Sequence, residues 1–367
     1  MDADEIGAWL RLLLVPGVGR ETARRLLAAH GSPQAVLAAD PERLRSDLGD
    51  RLAGELAREP ADWAPAVDAV LAWQGQGSDR HVFSVGDACY PRALLESPDP
   101  PLLLYATGDV ALLSRPAIAV VGSRRPTAQG RDHARRFAQA FGEAGYTVVS
   151  GLALGVDGAA HEGALAAGAP TVAVVGTGPD RVYPPSHREL AHRIAAHGVI
   201  VSEFLPGTAP LPENFPQRNR IIAGLSLGTL VVEAALQSGS LITARLANEA
   251  GREVFAIPGS IQSAQSRGCH ALIRDGAKLV ECPADVLDEL RQPGLPGLAA
   301  TAPAAEPPAP VADPLLDALG HDPMTLDGLQ ARTGRSTPDL LGRLLELELD
   351  GHVARLPGGL YQRRASA

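Results

Sequence analysis

The sequence predicts an α/β protein in which a doubly wound, mostly parallel, Rossmann-like sheet lies between an N-terminal helical domain and a C-terminal winged-helix domain. Three observations predict this fold class. Six short apolar runs alternate with helical stretches, the pattern of a parallel sheet covered by helices on both faces. About 80 residues with a helical pattern precede these runs. A stretch rich in Pro and Ala separates them from a second helical region at the C-terminus.

Residues 1–80 are predicted to form a small helical domain of the SAM-like or helix-hairpin-helix type. The apolar segment Leu10–Val15 is interrupted by Pro16-Gly17-Val18-Gly19, and the helical pattern resumes over Arg20–Ala29. This arrangement resembles the helix-hairpin-helix motif, which implies a glycine turn whose backbone N–H groups contact a DNA phosphate. The alternative is a hairpin that packs as a structural unit, and the sequence leaves both open.

Residues 81–290 are predicted to form the sheet domain. Each main strand ends in a turn of small residues, such as Gly122-Ser123-Arg124 or Gln237-Ser238-Gly239-Ser240. In a parallel sheet these turns lie at the carboxyl ends of the strands, which is where ligands bind. The predicted main strands are Ala117–Val121, Thr147–Val149, Thr171–Val175, Val199–Val201, Leu230–Val232 and Glu253–Ile257.

The residues around these turns have the chemistry of a phosphate site. Small residues let the backbone approach a ligand, and the first turn of a helix has free N–H groups. Guanidinium groups beside such turns bind phosphate oxygens. Phe215 can either stack on an unpaired base or pack beneath the loop, and the two readings are equally supported. The predicted site residues are Gly122, Ser123, Arg124, Ser150, Gly151, Phe215, Arg218, Asn219, Arg220, Gly239, Ser240 and Thr243.

The C-terminal part is predicted to be a linker followed by a winged helix. Residues 291–313 are rich in Pro and Ala, which favours a semi-extended linker. The third predicted helix of residues 314–367 is acidic, whereas contact with DNA phosphates requires Lys or Arg. This charge favours a role in protein interaction over DNA reading. The predicted elements are helices over Pro314–Leu319, Thr325–Thr333 and Ser336–Leu349 and two β segments around Gly358-Gly359.

Composition limits the class of protein. The 367 residues are 45% hydrophobic, and no apolar run reaches the roughly 18 residues of a membrane span. The N-terminus has no basic segment ahead of an apolar one, so we expect a cytoplasmic protein. Cys89, Cys269 and Cys282 are scattered and fit neither a disulfide framework nor a zinc site. The net charge of −9 still allows one basic groove, because salt screens charges beyond about 8–10 Å.

Several motifs in order resemble the DNA-processing protein A family (DprA/Smf) over roughly residues 80–290. The resemblance implies a recombination mediator that binds single-stranded DNA at the predicted site, protects incoming DNA and forms a homodimer. It also implies that the mediator loads RecA onto strands coated by single-strand-binding protein during natural transformation. Whether duplex DNA also binds is left open. The motifs are Gly122-Ser123-Arg124, SGLALGVDGAAHEGAL from Ser150, GTGPDRVYPPSH from Gly176, SEF from Ser202, and FPQRNR from Phe215 followed by SGSLITA.

The sheet also resembles the lonely-guy phosphoribohydrolases, which would make the protein a nucleotide-binding enzyme. That resemblance implies a catalytic glutamate shortly after the glycine-rich loop. The matching stretch SGSLITARLA instead has Ala244, Arg245 and Leu246 there. The glutamate that general acid–base catalysis would need is therefore missing at this place. A phosphoribohydrolase is therefore the alternative reading, and a DNA-binding protein without enzymatic activity is the prediction.

Other carboxylates and histidines of the sheet domain are assigned structural roles. Asp157 and Glu233 are interpreted as hydrogen-bond partners of loop N–H groups. His161-Glu162 lacks the second histidine of a zinc-binding helix, and the sequence contains no P-loop for ATP. We therefore expect neither a metal nor a cofactor.

Overall fold

The computed structural model describes residues 1–290, 313–356 and 358–364 of the chain. The N-terminal domain is helical, as predicted. Gly17, with φ of 89°, reverses the chain between its first two helices in a conformation that favours glycine. Trp73 packs edge-on against Tyr105 of the sheet, with 6.0 Å between ring centroids, which anchors the domain on the sheet edge. The helices are α1 (Ala3–Leu13), α2 (Arg20–His30), α3 (Pro33–Leu37), α4 (Pro41–Leu48), α5 (Asp50–Ala57) and α6 (Trp63–Gln74).

The central domain alternates strands with helices along the chain. Two short 3₁₀ turns, Val110–Ser114 and Pro185–His187, interrupt this alternation. The strands are β1 (Arg80–Ser84), β2 (Leu103–Gly108), β3 (Ala117–Val121), β4 (Thr147–Ser150), β5 (Thr171–Val174), β6 (Val199–Ser202), β7 (Gly228–Val231), β8 (Glu253–Ala256) and β9 (Lys278–Leu279). The helices are α7 (Arg92–Leu95), α8 (Ala128–Glu143), α9 (Val156–Ala166), α10 (Arg188–His197), α11 (Asn214–Leu225), α12 (Gly239–Glu249), α13 (Arg267–Arg274) and α14 (Pro283–Glu289).

These strands form one nine-stranded sheet in the order β1-β2-β6-β5-β4-β3-β7-β8-β9. The strands from β6 to β9 in this order are parallel, and β1 and β2 add an antiparallel edge. Helices cover both faces. Ile221 and Ala244 belong to the apolar core on one face, whereas Phe137 and Ala160 belong to the core on the other. The central strands are buried on both sides, which explains their nearly continuous apolar sequences.

The chain changes its direction of progression across the sheet at β3. Strands β4, β5 and β6 follow on one side of β3, and β7, β8 and β9 follow on the other. The turns after β3 and β7 therefore lead to helices on opposite faces and leave a crevice between them. In open α/β sheets, ligands bind at this kind of switch point, beyond the carboxyl ends of the strands.

The C-terminal domain has the predicted three helices and β-hairpin, and its strands pair in the order β10-β12-β11. Gln362 Nε2 lies 3.2 Å from Gln129 Oε1, and Arg364 pairs with Asp132 of α8, so the wing contacts the sheet domain. The predicted linker falls outside the described residues except for Asp313. The elements are α15 (Pro314–Leu319), β10 (Met324–Thr325), α16 (Leu326–Thr333), α17 (Thr337–Leu349), β11 (Val353–Leu356) and β12 (Leu360–Arg363).

The predicted main strands agree with the structure to within two residues at either end; for example, the strand predicted over Leu230–Val232 is β7. The helix α11 was not predicted. It runs through the arginine-rich segment ahead of β7 and so determines where each side chain of that segment points.

Across the described ranges, no helix has both the length and the apolar character needed to cross a lipid bilayer.

Candidate nucleic-acid interface

A crevice of about 580 Å³ lies at the carboxyl ends of β3 and β7. The turns after these strands form two walls, and the first half of α11 forms a third. Its charged lining residues are three arginines and one aspartate, which makes it a locally positive region on an acidic chain. Of the predicted site residues, those that line it are Gly122, Ser123, Arg124, Phe215, Arg218, Asn219, Gly239, Ser240 and Thr243.

Arg218 lines the crevice with only 4% of its surface exposed. Its Nη2 donates to the Gly151 carbonyl oxygen at 2.9 Å and lies 3.8 Å from Asp157 Oδ2. Burial lowers the pKa of Arg218 to about 10, with Asp157 opposing that shift, so the guanidinium is charged at neutral pH. Its Nε has no hydrogen-bond partner among the described residues. The hydrogen-bonding capacity of this buried cation is therefore not fully used within the described residues.

The turn after β4 is built around this guanidinium. A Cβ on Gly151 would overlap the Arg218 guanidinium, so glycine lets the guanidinium lie against this turn. Leu152 has φ of 58°, a left-handed conformation that costs free energy in a residue other than glycine. Its side chain is fully buried, and the following Ala153 N–H donates to Asp157 Oδ2 at 3.3 Å. The strained turn thus holds both members of the buried ion pair.

The N-terminus of α12 forms the opposite wall of the crevice. Ser238 is its N-cap, because the Ser238 Oγ accepts a hydrogen bond from the Ser240 N–H at 3.3 Å. Thr243 lies about one turn further along α12 and also lines the crevice. Asn219 Nδ2 donates to the Gly239 carbonyl oxygen at 3.4 Å and so connects α11 to this turn. Hydroxyl groups and the positive end of a helix together favour an anion.

Arg124 and Phe215 lie side by side in the lining. Arg124 is exposed, and its Cζ lies 5.5 Å from the centroid of the Phe215 ring, a cation–π contact. Tyr183 contacts the same ring, with 5.6 Å between the centroids and 45° between the planes. Phe215 is half-buried and packs beside Gly176. The ring is thus partly packed and partly open, which is compatible with both interpretations of this residue.

Arg220 does not line the crevice, so the structure does not bring it together with the other predicted site residues. It follows Arg218 by two residues on α11, and two residues turn an α-helix through about 200°. Its Nε lies 2.7 Å from Asp99 Oδ2, and its Nη2 lies 2.6 Å from Glu203 Oε1. Arg220 therefore points away from Arg218 and is neutralised by two carboxylates.

Asp99 binds arginines from two domains. Arg20 Nε lies 3.0 Å from Asp99 Oδ2, and Arg24 binds Asp99 Oδ1. Burial raises the pKa of Asp99, but the hydrogen bonds from Arg24 and Arg220 outweigh burial and lower that pKa to about 2. The arginines of α2 thus attach the helical domain to the sheet domain. This contact supports the structural alternative for the N-terminal hairpin.

Ser150 and Gly151 lie beneath the crevice and not in its lining, so the structure does not bring them to the surface with the other predicted site residues. Ser150 is fully buried, and its Oγ donates to the Val120 carbonyl oxygen at 2.7 Å. Gly151 is covered by the guanidinium of Arg218. Ser150 is the last residue of β4, where the side chain points into the packed interior. Because Gly151 has no side chain, the Arg218 guanidinium can lie against its backbone, and Gly151 therefore contributes by positioning Arg218.

The two carboxylates near the crevice have structural partners. Glu233 Oε2 accepts a hydrogen bond from the Thr127 N–H at 2.9 Å, which caps the start of α8. Asp157 accepts one from the turn after β4 and pairs with Arg218. Burial raises the pKa of both carboxyl groups. Their interpretation as hydrogen-bond partners of loop N–H groups is confirmed. Arg245, where a phosphoribohydrolase would need a glutamate, is exposed on α12.

His161 is a core residue. It is fully buried, and its Nδ1 lies 2.7 Å from Thr171 Oγ1. Burial lowers the pKa of His161 to about 3, so the imidazole is neutral. In the part of the chain that the structure describes, no three His, Cys, Asp or Glu side chains are grouped so as to hold a metal ion.

Among the lining residues that were missing from the predicted site, three polar ones are Arg125, Ser238 and Gln265. Arg125 is exposed beside Arg124, and its N–H donates to Ser123 Oγ at 3.0 Å. Ser238 lies in the turn that the sequence had identified, and its place before α12 is typical of an N-cap. Gln265 follows β8, and its Nε2 donates to the Arg125 carbonyl oxygen at 3.3 Å. No local pattern signals Gln265, because only the fold brings its loop beside the turn after β3.

Comparison with known proteins covers all three domains. The family model described as DNA recombination-mediator protein A matches residues 81–291. Models of a DprA winged helix domain and of a DprA-like N-terminal HHH domain match residues 299–359 and 3–54. Protein Smf of Escherichia coli (strain K12) is 40% identical over 305 residues, which cover 82% of this chain and 81% of the relative. DNA processing protein DprA of Streptococcus pneumoniae is 50% identical over 207 residues, which cover 56% and 73%.

Solved structures similar to this one include two DNA processing A proteins. The X-ray structure of DNA processing protein A from Streptococcus pneumoniae has a TM-score of 0.60 at 40% identity and covers 75% of this chain and 99% of its own. The DNA processing protein A of Helicobacter pylori, whose structure is described for its single-stranded DNA binding mode, has a TM-score of 0.52 at 32% identity. It covers 57% of this chain and 95% of its own. The chain therefore belongs to the DNA recombination-mediator protein A family.

Proposed function

We propose that this protein binds single-stranded DNA in the crevice between the turns after β3 and β7 and acts there as a recombination mediator. One observation carries the proposal: a buried, charged Arg218 with an unpartnered Nε lies at the switch point of the sheet, opposite the N-terminus of α12. A phosphate group in the crevice would complement the positive charge of Arg218 and of the exposed Arg124 and Arg125 beside it. The relative from Helicobacter pylori is described as binding single-stranded DNA, which agrees with this ligand.

The groups around the crevice favour a single strand over a sequence-specific duplex site. Arg124, Arg125 and the start of α12 offer contacts to phosphates, which carry no sequence information. Phe215 and the exposed Tyr183 provide aromatic surface beside them, and unpaired bases stack on aromatic rings. We therefore expect binding that depends strongly on salt and weakly on sequence. Duplex DNA is a comparison ligand in the test.

Within the same proposal, the protein protects incoming DNA in the cytoplasm and loads RecA onto strands coated by single-strand-binding protein during natural transformation. Contacts to phosphates leave the base edges accessible to a second protein, and RecA needs this access in order to be loaded.

A homodimer is also part of this proposal. Leu236 and Ile261 are exposed apolar side chains in the loops after β7 and β8 and offer a surface for it. Light scattering of Ile261→Glu tests that surface, and a mass equal to that of the wild type contradicts it.

The first test is a salt series of binding to a fluorescent single strand, a duplex and a mononucleotide. Replacing Arg124 with Ala should weaken single-strand binding and reduce the slope of log K against log salt by about 0.7, because one phosphate contact is lost. The melting temperature should stay unchanged, since Arg124 is exposed. Arg245→Ala is the matched control, because it removes an exposed arginine of α12 outside the crevice lining. Equal salt slopes for the two variants would remove Arg124 from the interface.

The second test separates a mediator from an enzyme. With RecA and single-strand-binding protein from the same organism, the pure protein should accelerate filament formation on coated strands. A nucleoside monophosphate incubated with the protein should stay intact, because no carboxylate in the described crevice lining is free of a structural partner. Failure to accelerate filament formation contradicts the mediator proposal. Release of free base from the nucleotide would assign the protein to the phosphoribohydrolases.

A further inference from the structure

The third helix of the winged-helix domain exposes a row of leucines. Leu341, Leu345 and Leu349 are 43%, 57% and 80% exposed. They recur at every fourth residue of α17 and therefore lie on one face of the helix. The opposite face is occupied by Leu344 and Leu347, which are buried in the core of the domain. The exposed row is thus additional to the leucines that the fold needs.

Acidic residues flank this leucine row on both sides. At 3.6 residues per turn, Glu346 and Asp350 lie along one flank and Glu348 along the other. Arg343 is the cation of this helix, and it pairs with Asp313 and with Glu346 at 2.6 Å each. Glu348 and Asp350 have no ion-pair partner in the described part of the chain. The face of α17 is therefore apolar in the middle and negative at its borders.

This surface excludes two occupants on physical grounds. In winged helices and related folds, the third helix enters the DNA groove, where it needs Lys or Arg to contact phosphates. The carboxylates that flank the leucine row would repel that polyanion. A second copy of the same face would bring two negative surfaces together, and Arg343 is already paired within its own domain, so like charges oppose self-pairing. The surface fits an occupant with apolar side chains and positive borders.

We propose that the leucine row of α17 is a docking site for an amphipathic helix of a partner protein whose apolar stripe is flanked by Lys and Arg. Helices dock in this way through anchors at every third or fourth residue, and the charged borders set orientation and partner choice. The distance from Leu341 to Leu349 corresponds to about two turns, enough for two or three anchors. This site lies in a different domain from the crevice and does not depend on the proposed DNA binding.

The test measures binding of the full-length protein to labelled peptides by fluorescence anisotropy. Three peptides of about 18 residues serve as probes: an amphipathic Leu/Lys helix, the same helix with Glu for Lys, and a scrambled Leu/Lys sequence. We expect the amphipathic Leu/Lys peptide to bind more tightly than both others. Leu345→Glu should weaken that binding about tenfold or more, as loss of a central anchor does. Leu95→Glu is the matched control, because Leu95 is a similarly exposed leucine of the sheet domain.

A charge reversal gives an independent readout. The double variant Glu348→Lys and Asp350→Lys should lose affinity for the Leu/Lys peptide and gain affinity for the Leu/Glu peptide. Equal binding of the amphipathic and scrambled peptides, or equal effects of Leu345→Glu and Leu95→Glu, would overturn the proposal. So would a Leu345→Glu variant that loses duplex-DNA binding, or one that turns a wild-type dimer into a monomer.

Discussion

The two faces of α11 show how neighbouring arginines acquire different roles. Arg218 faces the crevice, where one distant carboxylate and one carbonyl oxygen contact it and its Nε is left without a partner among the described residues. Arg220 faces the other way and binds Asp99 and Glu203 at 2.6–2.7 Å. The first has one carboxylate at 3.8 Å, whereas the second has two carboxylates at hydrogen-bond distance. Availability to a ligand thus depends on the carboxylates that the fold places nearby, and not on the presence of arginine in a motif.

The crevice and the Asp99 cluster also differ in what they connect. The crevice joins loops of one domain around an open volume. The Asp99 cluster joins α2 of the helical domain to α11 of the sheet domain. Since α11 belongs to both, a substitution on one face should affect binding and a substitution on the other should affect stability.

The largest effect is expected from Arg218→Ala. It removes the buried cation and leaves Asp157 buried without its partner, which should lower the free energy of unfolding by about 3–5 kcal/mol. Single-strand binding should fall by more than tenfold, measured under conditions where circular dichroism shows a folded protein. Arg218→Lys keeps the positive charge but loses the planar guanidinium with its paired N–H donors. Compared with Arg218→Ala, it should therefore restore more of the stability than of the DNA affinity. A folded Arg218→Ala protein with wild-type affinity would contradict the role of this arginine.

Arg220→Ala should give the opposite pattern. Glu203 loses its guanidinium partner, whereas Asp99 keeps Arg20 and Arg24, so the free energy of unfolding should fall by about 1–3 kcal/mol. Single-strand affinity at fixed salt should stay within about twofold of wild type, because phosphate contacts of the crevice are unchanged. Urea unfolding and the anisotropy assay measure the two quantities. If affinity falls more than stability, Arg220 reaches the DNA after all.

The Asp99 cluster should also be visible in the dependence of stability on pH. The folded-state pKa of Asp99 is about 2, below its ordinary value of 3.8. The contribution of ionised Asp99 to the free energy of unfolding is therefore fully present above about pH 4 and is lost as the pH falls through about 2. The slope of stability against pH in this window should be shallower in Asp99→Asn than in the wild type. Identical slopes in acid denaturation would show that Asp99 does not carry this linkage.

The smallest effect is expected from deleting residues 314–367. The acidic third helix makes no favourable contact with a strand, so single-strand affinity should stay within about twofold of the full chain. Loss of the Arg364–Asp132 pair is the main cost to the sheet domain, and pairs on the surface contribute little. Parallel salt series for the two proteins measure this. A truncated protein with most of its affinity lost would place the winged helix in the DNA interface.

The amino-acid sequence by itself determined the elements whose signals are local. Apolar runs rich in Val and Ile predicted the six main strands, and the small-residue turns after them predicted the edge of the sheet at which the crevice lies. The helix predicted over Ser336–Leu349 is α17, and Ser336 is its N-cap. In each of these cases, backbone conformation and burial follow from residues within a few positions along the chain.

The tertiary structure alone decided which polar side chains meet. Arg218 and Arg220 are separated by the rotation of α11, which the arginine-rich segment did not reveal as a helix. Asp99 comes from a Pro-rich passage more than a hundred residues earlier, yet it binds Arg220. Gln265 reaches the turn after β3 only because β7 lies between β3 and β8 in the sheet. Such contacts depend on long-range packing, and the sequence near each residue does not indicate which distant residue it will contact.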